Sequence, residues 1–195
     1  MGAVERLRAQ LRAHLDAAEK LEPLLPSIER ASQMVFNSLQ AGGVLYSFGN
    51  GGSAADAQHL AAELVGRFRR ERRPLPAVAL TTDASTLTCI ANDYAYEEVF
   101  SRQARALCGP SDVVVGISAS GASENVVRGL AAAREKGAAT IALTGGDGGR
   151  LAPIAHCSLV APAHSTARIQ EMHILIIHLI CEALDDRLLE SDGRE

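Results

Sequence analysis

Five short, mostly apolar runs recur along the 195-residue chain, and stretches with helical spacing of apolar residues separate them. Runs of this kind are typical of strands buried on both faces of a parallel sheet. The predicted strands cover residues 44–48, 77–81, 113–117, 139–143 and 157–161. The predicted helices cover residues 53–67, 84–107 with a break near Asn92-Asp93, 123–135, 148–154 and 167–188. This alternation predicts an α/β protein whose parallel sheet is covered on both faces.

Two further helical patterns precede the first predicted strand. They cover residues 4–22 and 26–40, and the second stops at the pair Gly42-Gly43, a common signal for a helix end. A chain of this length is most economically one domain. We therefore expect a single domain over 1–195, in which N-terminal helices (1–41) are added to an α/β core (42–195).

Composition excludes several classes of protein. The net charge of −4 is unlike that of a general nucleic-acid binder, and no apolar run reaches the roughly 20 residues of a membrane-spanning helix. The charged start of the chain lacks an apolar signal segment, so a cytoplasmic protein is expected. The only lysines, Lys20 and Lys136, are poorly placed for Schiff-base or Walker-type chemistry. The four scattered cysteines are expected to be small buried residues.

Two loops of small and hydroxyl residues follow predicted strands and precede predicted helices. The first is Gly-Asn-Gly-Gly-Ser at 49–53 and the second is Ser-Ala-Ser-Gly-Ala-Ser at 118–123, and residues 44–53 align with 114–123 as a weak internal repeat. Either loop alone is a common turn with a serine helix cap. Together, at helix starts on one sheet, they predict a phosphate site. The first loop also fits a loose dinucleotide fingerprint, but the next acidic strand-end residue, Asp83, comes too late for it.

Four polar residues interrupt otherwise apolar helices. His59 and Glu63 are four residues apart and share a helix face, which its Ala, Leu and Val neighbours predict to be largely buried. Gln170 and His178 lie in the apolar final helix. A lone histidine there is more often a hydrogen-bonded core residue, the interpretation we adopt for His173. Taken together, the four residues make a plausible nitrogen and oxygen shell for a metal ion.

A basic run at 67–73, Arg-Phe-Arg-Arg-Glu-Arg-Arg, follows the helix that carries this pair. The usual meaning of such a run is a solvated helix end whose cations suit the helix dipole. The alternative is a patch for nucleic acid or an acidic partner.

Several motifs occur in order and together resemble the sugar isomerase (SIS) domain family over about residues 20–188. The matching motifs are the loops 49–53 and 118–123, Asp-Ala-Gln-His at 56–59 with Glu63, Ala-Asn-Asp-Tyr at 91–94, Leu-Thr-Gly-x-x-Gly-Gly at 143–149, and Arg-Ile-Gln-Glu-x-His at 168–173 with His178. The resemblance is most specific to the branch that acts on sedoheptulose 7-phosphate.

The resemblance implies a five-stranded parallel sheet flanked by helices, in a flavodoxin-like SIS fold with added N-terminal helices. It implies a homotetramer with active sites at subunit interfaces. The implied activity interconverts sedoheptulose 7-phosphate and D-glycero-D-manno-heptose 7-phosphate through an enediolate. That reaction is the first step toward the ADP- or GDP-heptose precursors of cell-surface polysaccharide such as lipopolysaccharide.

The resemblance also assigns residues. One zinc ion (Zn2+) per subunit would be held by His59, Glu63, Gln170 and His178, with Glu63 as the base and His178 as a second acid/base. The implied substrate-binding residues are Asn50, Gly51, Gly52, Ser53, Glu63, Asn92, Asp93, Ser118, Ala119, Ser120, Ser123 and Gln170. Ala119 and Ala122 stand where many members have Thr and Asn, so those side-chain contacts are absent here.

An alternative on the same scaffold is a tetrameric adaptor that binds the bacterial replication initiator and has no known isomerase activity. That adaptor resembles this chain at 53–55, 57–59 and 168–173, but lacks the carboxylate and imidazole that correspond to Glu63 and His178. Their presence favours an enzyme. Sugar-phosphate-sensing regulators usually append a helix-turn-helix, for which this length leaves no room.

Overall fold

The computed structural model describes residues 2–193. Its helices are α1 (Ala3–Glu19), α2 (Leu25–Gln40), α3 (Gly52–Val65), α4 (Ala84–Asp93), α5 (Val99–Leu107), α6 (Glu124–Glu135) and α7 (Thr166–Asp192). Its strands are β1 (Leu45–Gly49), β2 (Ala77–Ala79), β3 (Val113–Ser118), β4 (Ala139–Gly145) and β5 (Cys157–Ala161). The predicted strands and the two N-terminal helices are confirmed, with β2 shorter than predicted.

The five strands form one sheet in the order β2-β1-β3-β4-β5, and every pair is parallel. This is the flavodoxin-like order, in which the chain leaves β1 toward one edge and later leaves β3 toward the other. The register pairs Leu45 with Val113 and Gly49 with Ile117, so β1 and β3 end at the same level. The loops that follow them therefore lie side by side.

Each face of the sheet has its own apolar layer. One core joins side chains of α1, α2, α3 and α7 to the sheet, and includes Leu60, Leu64 and Ile177. The other joins α4, α5 and α6 to the opposite face, around Phe48 and Phe100, whose stacked rings are 4.8 Å apart. The prediction of a sheet covered on both faces is confirmed, and α3 and α7 lie together on one of those faces.

Two local predictions need correction, and a third is confirmed. The helix expected at 148–154 is only a short 3-10 turn at Ala152–Ile154, because Gly146, Gly148 and Gly149 adopt positive φ and Pro153 follows them. The break expected near Asn92-Asp93 is confirmed, since α4 ends at Asp93. Three cysteines are buried as expected, but Cys89 is exposed.

Across residues 2–193, no helix combines the length and the apolar composition needed to cross a bilayer.

Candidate active site

The two loops of the internal repeat flank the point where the chain changes direction in the sheet. The loop at 49–53 follows β1 and opens α3, and the loop at 118–123 follows β3 and opens α6. In open α/β sheets, ligands bind beyond the carboxyl ends of the strands at such a switch point. The topology therefore places both loops where a ligand site is expected.

The serines of these loops are not used as helix caps. Ser123 stands at the N-cap of α6, but its side chain makes no capping bond, and Ser118 Oγ donates to Ser123 Oγ at 3.0 Å. Ser53 lies inside α3, whose N-cap is Gly51 at φ +56°. By contrast, Asp83 and Ser165 do cap α4 and α7 through their side chains. The simple interpretation of the loops as serine-capped turns is therefore wrong.

Between the loops lies a cleft of about 200 Å³. Typical small-molecule sites measure roughly 300–1,000 Å³, so this cleft suits one end of a ligand such as a phosphate group. Its lining consists mainly of small and hydroxyl residues from both loops and the first turns of α7, namely Asn50, Ser53, Ile117, Ser118, Ala119, Ser120, Ser123, Thr166 and Gln170.

A side-chain network fixes the first loop. Asn50 and Asn125 exchange amide hydrogen bonds at 2.8 and 2.9 Å, and Tyr96 Oη donates to Asn50 Oδ1 at 3.0 Å. Sequence reasoning missed Asn125, Tyr96 and Thr166, because none belongs to a glycine-rich motif. The only signal for Asn125 was its place two residues after the serine loop.

Gly51 and Gly52 complete the turn of that loop. A Cβ added at Gly52 would overlap the side-chain amide of Gln170, so glycine lets α7 approach the start of α3. Asn92 and Asp93 lie at the exposed end of α4, where Asn92 Nδ2 donates to Asp93 Oδ1 at 2.8 Å. They are outside the lining of the cleft, and their substrate role stays a prediction.

The second part of the site joins α3 to α7. Glu63 Oε1 is 2.9 Å from His59 Nε2, which is itself 3.2 Å from His178 Nε2. The three ligand atoms lie within 4.8 Å of one another. The side chains of His59 and Glu63 are 42% and 21% exposed, so the expectation of a largely buried face is wrong for the single chain.

The donor set fits a cation. His59 Nε2 faces both Glu63 and His178, yet one ring nitrogen offers either a single proton or a single lone pair. His59 Nε2 can therefore form a hydrogen bond with only one of these two neighbours, and the other is left without a partner at this nitrogen. Two imidazoles and a carboxylate converging on one point are a common set for zinc and other first-row metals.

The fourth predicted ligand, Gln170, has a different position. It lies eight residues before His178 on α7, about 12 Å along the helix axis, and its side chain contacts Gly52 beside the cleft. The structure thus brings His59, Glu63 and His178 together and puts Gln170 at the cleft. A role for Gln170 in metal binding stays a prediction.

Two other titratable residues lie near these groups. Burial raises the pKa of Asp56 to about 6 against the opposing effect of His59, and Asp56 Oδ2 is buried without a partner among the described residues. His173 is fully buried and donates from Nε2 to Thr144 O at 2.9 Å, and burial lowers its pKa. His173 is therefore the core residue that its sequence setting suggested.

The basic run at 67–73 is tied to α7 by ion pairs. Arg69 contacts Glu182 at 2.9 Å, Arg70 contacts Asp186 at 3.1 Å, and Arg72 pairs with a buried aspartate described below. Phe68 stacks on the ring of His178 at 5.4 Å. These contacts hold the run against the protein, and much of its charge is already paired.

A larger cavity of about 530 Å³ lies between α4, α5 and the edge strand β2. Its lining is mostly apolar, and its polar residues already serve the fold. Asp83 caps α4 through Thr86, and Gln103 donates to the carbonyls of Leu80 and Val99. It therefore suits catalysis less well than the cleft and the His59–Glu63–His178 group.

Comparison with known proteins agrees with this architecture. The SIS domain family matches residues 8–145. A phosphoheptose isomerase from Geobacter sp. (strain M21) is 52% identical over 186 residues, which span 95% of this chain and 97% of that protein. Another, from Aquifex aeolicus, is 55% identical over 157 residues, 80% of this chain and 82% of that protein. The structure of phosphoheptose isomerase GmhA from Neisseria gonorrhoeae covers 95% of this chain and 100% of its own at 44% identity, with a TM-score of 0.90.

The five-stranded parallel sheet, with two small-residue loops and a cleft at its switch point, defines an α/β protein with a candidate ligand site. The comparisons identify the family. The chain belongs to the SIS domain family, and the predicted fold is confirmed. Within that family its relatives of about 50% identity are phosphoheptose isomerases, and it belongs with them.

Proposed function

We propose that this chain is an aldose–ketose isomerase that interconverts sedoheptulose 7-phosphate and D-glycero-D-manno-heptose 7-phosphate. The observation that carries the proposal is the convergence of Glu63, His59 and His178 on one point, on helices that also border the phosphate-type cleft. The names of the relatives supply the substrate. The product would be the first intermediate toward ADP- or GDP-heptose for lipopolysaccharide or another surface polysaccharide.

The cleft would hold the phosphate. Ser53, Ser118, Ser120 and Ser123 offer hydroxyl donors, and the starts of α3 and α6 offer backbone N–H groups and the positive ends of helix dipoles. Asn50, Gly51, Gly52, Ala119 and Gln170 would shape this end of the site, and Asn92 and Asp93 would contact the sugar.

Glu63 would move the proton between C1 and C2. Aldose–ketose isomerisation passes through an enediolate, which needs a base at the carbons and an acid for the oxygens. Glu63 Oε1 faces His59, which leaves the second carboxylate oxygen for the substrate. His178 would give and take the proton at the substrate oxygen.

His59, Glu63 and His178 would hold a zinc ion, with Gln170 as the further ligand. When bound there, zinc supplies positive charge that polarises a carbonyl and stabilises an enediolate. The support is the donor set and its geometry.

The proposal includes the assembly. Val4, Leu7, Leu11 and Leu15 recur along α1 and are each more than half exposed, a pattern typical of a helix that packs against another subunit. We propose a cytoplasmic homotetramer of single-domain chains, with active sites at subunit interfaces and with no membrane or nucleic-acid partner. Light scattering of the purified protein tests the assembly.

Glu63→Gln tests the function. The change keeps the size of the side chain and removes the base, so kcat with sedoheptulose 7-phosphate should fall roughly 100- to 10,000-fold. Glu190→Gln, on the exposed end of α7, is the matched control and should keep full activity. Near-normal turnover by the Glu63 variant would remove that residue from the mechanism. An inert wild-type protein that binds the replication initiator would favour the adaptor instead.

A further inference from the structure

A buried ion pair lies where the basic run meets α7. The side chains of Arg72 and Asp185 are only 4% and 2% exposed, and Arg72 Nε donates to Asp185 Oδ1 at 2.8 Å. For Arg72, the expectation of a solvated helix end is therefore wrong. Two charges taken out of water are tolerated only when their remaining polar atoms are also bonded.

Both terminal nitrogens of Arg72 donate to the end of α3, and Nη1 also donates to the carbonyl of Arg73 at 3.1 Å. Its Nη2 donates to the carbonyl of Glu63 at 2.8 Å, and its Nη1 donates to the carbonyl of Leu64 at 3.0 Å. The last carbonyls of a helix lack partners within the helix, and a cation there also suits the helix dipole. Arg72 thus bonds directly to the backbone of the proposed base.

Asp185 carries the connection to α7. It lies seven residues after His178, and its Oδ2 accepts the backbone N–H groups of Arg69 at 3.3 Å and Arg70 at 3.2 Å. One ion pair therefore joins three parts of the protein: the end of α3, the segment after it, and α7. Glu63 is on the first of these and His178 on the last.

We propose that Arg72 is a positioning residue, which with Asp185 fixes the spacing between α3 and α7 at which Glu63, His59 and His178 converge. The proposal rests on the proposed function for its kinetic part. A neighbouring pair offers a comparison: Arg70 and Asp186 join the same segment to the same helix at 3.1 Å, but their side chains are 52% and 53% exposed.

The test must separate position from stability. Arg72→Met alone leaves a buried, unpaired carboxylate, which destabilises any fold. The double variant Arg72→Met/Asp185→Leu removes both charges, and apolar replacement of a buried pair is often neutral or stabilising. Arg72→Lys keeps the charge but not the fork that reaches the Glu63 carbonyl. Arg70→Met is the matched control.

Zinc affinity is measured with zinc chloride against a competing chelator, and kinetics with sedoheptulose 7-phosphate. Residues that orient metal ligands typically contribute 10- to 100-fold to metal affinity or activity, so we expect the double variant to lose about that much in zinc affinity and in kcat. Its KM should change much less than its kcat, because the cleft is proposed to hold only the phosphate end, which this ion pair does not contact. The zinc affinity and kcat of Arg72→Lys should lie between those of the double variant and of wild type, and those of Arg70→Met should match wild type.

Wild-type zinc affinity in the folded double variant would overturn the proposal, as would an equal loss in Arg70→Met. If the double variant does not fold, Arg72→Lys decides, and wild-type zinc affinity in that variant overturns the proposal. If the wild-type protein does not isomerise the sugar, the proposed function fails by itself, and the zinc measurement still tests the positioning.

Discussion

Gly121→Ala and Gly146→Ala form a matched pair of variants. They test how the loop at 118–123 is held by the glycine-rich loop at 146–149, which follows β4. Both glycines have φ +62°. A Cβ at Gly146 would meet nothing within 4 Å, whereas at Gly121 it would lie 2.6 Å from Gly148 C and 2.9 Å from Gly149 N, and would overlap the Gly148 carbonyl oxygen. The backbones of the loops at 118–123 and 146–149 are therefore in contact at Gly121, and Leu151 N donates to Gly121 O at 2.9 Å.

The expected magnitudes follow from these geometries. Both variants place alanine in left-handed backbone, which costs about 1–2 kcal/mol. Only Gly121→Ala adds an overlap with backbone that cannot rotate away, and overpacking of this kind costs typically about 1–3 kcal/mol more. For a chain of this length, 1 kcal/mol shifts Tm by roughly 2–4 °C. Gly146→Ala should therefore lose a few degrees, and Gly121→Ala clearly more.

The assays are thermal and urea unfolding of both variants, followed by kinetics below their transitions. Because the overlap would displace the loop at 118–123, Gly121→Ala should also raise the KM for sedoheptulose 7-phosphate, while Gly146→Ala should not. Equal destabilisation of the two variants would refute the close approach of the loops. An unchanged KM in Gly121→Ala would show that the loop is only a turn.

Three further predictions concern the phosphate, the metal and pH. Ser120→Ala should raise KM about ten- to a hundredfold, since one charge-assisted hydrogen bond contributes about 1.5–3 kcal/mol. Its effect on kcat should be smaller, because the phosphate does not change in the reaction. Ser191→Ala on α7 is the control, and equal KM values in the two variants would contradict a phosphate contact at Ser120. Metal analysis should find that His59→Ala and His178→Ala each lose zinc, whereas His173→Ala keeps it. His173→Ala should instead unfold at a lower temperature, because it loses a buried hydrogen bond to Thr144 O. Equal zinc content in all three variants would exclude the metal site at His59, Glu63 and His178. Asp56→Asn should stabilise the zinc-free protein at pH 7.5 in urea unfolding. The folded-state pKa of Asp56 is raised to about 6 from 3.8, so its ionisation disfavours the folded state, and the gain should shrink as pH falls through 6 and vanish near 4; a gain that does not vary with pH would contradict this.

Local chemistry made much of the fold predictable. Buried parallel strands need continuous apolar runs, so their positions could be predicted from composition and length alone. The loop at 49–53 was also predictable from local sequence, because its glycines permit the conformation of the turn. The helix expected at 148–154 failed where three glycines at positive φ bring two loops into backbone contact. That contact is a long-range property, which a short window of sequence does not contain.

The candidate site was predictable in its residue types but not in its distances. Polar residues in apolar helices indicated His59, Glu63 and His178, yet their convergence depends on how α3 packs against α7. The basic run shows the limit most clearly. Its composition was typical of a solvated surface, and only the fold reveals that Arg72 forms a buried ion pair with Asp185, more than 100 positions away.

The parallel course of α3 and α7 explains why each helix carries polar residues at two levels. Both begin at the cleft, where Gly52 opens α3 and Thr166 lines the cleft at the start of α7. Ser53 and Gln170 lie in their first turns, while Glu63 and His178 follow ten and eight residues later, about 15 and 12 Å along the axes. Helical side chains lean toward the N-terminus, which shortens the distance back to the cleft. A phosphorylated sugar lying along this pair would put its anion at the positive helix ends and its reacting carbons at the acid/base groups. The spacing between the two helices then determines catalysis, which is why the Arg72–Asp185 pair at their far end is expected to influence kcat and zinc more than KM.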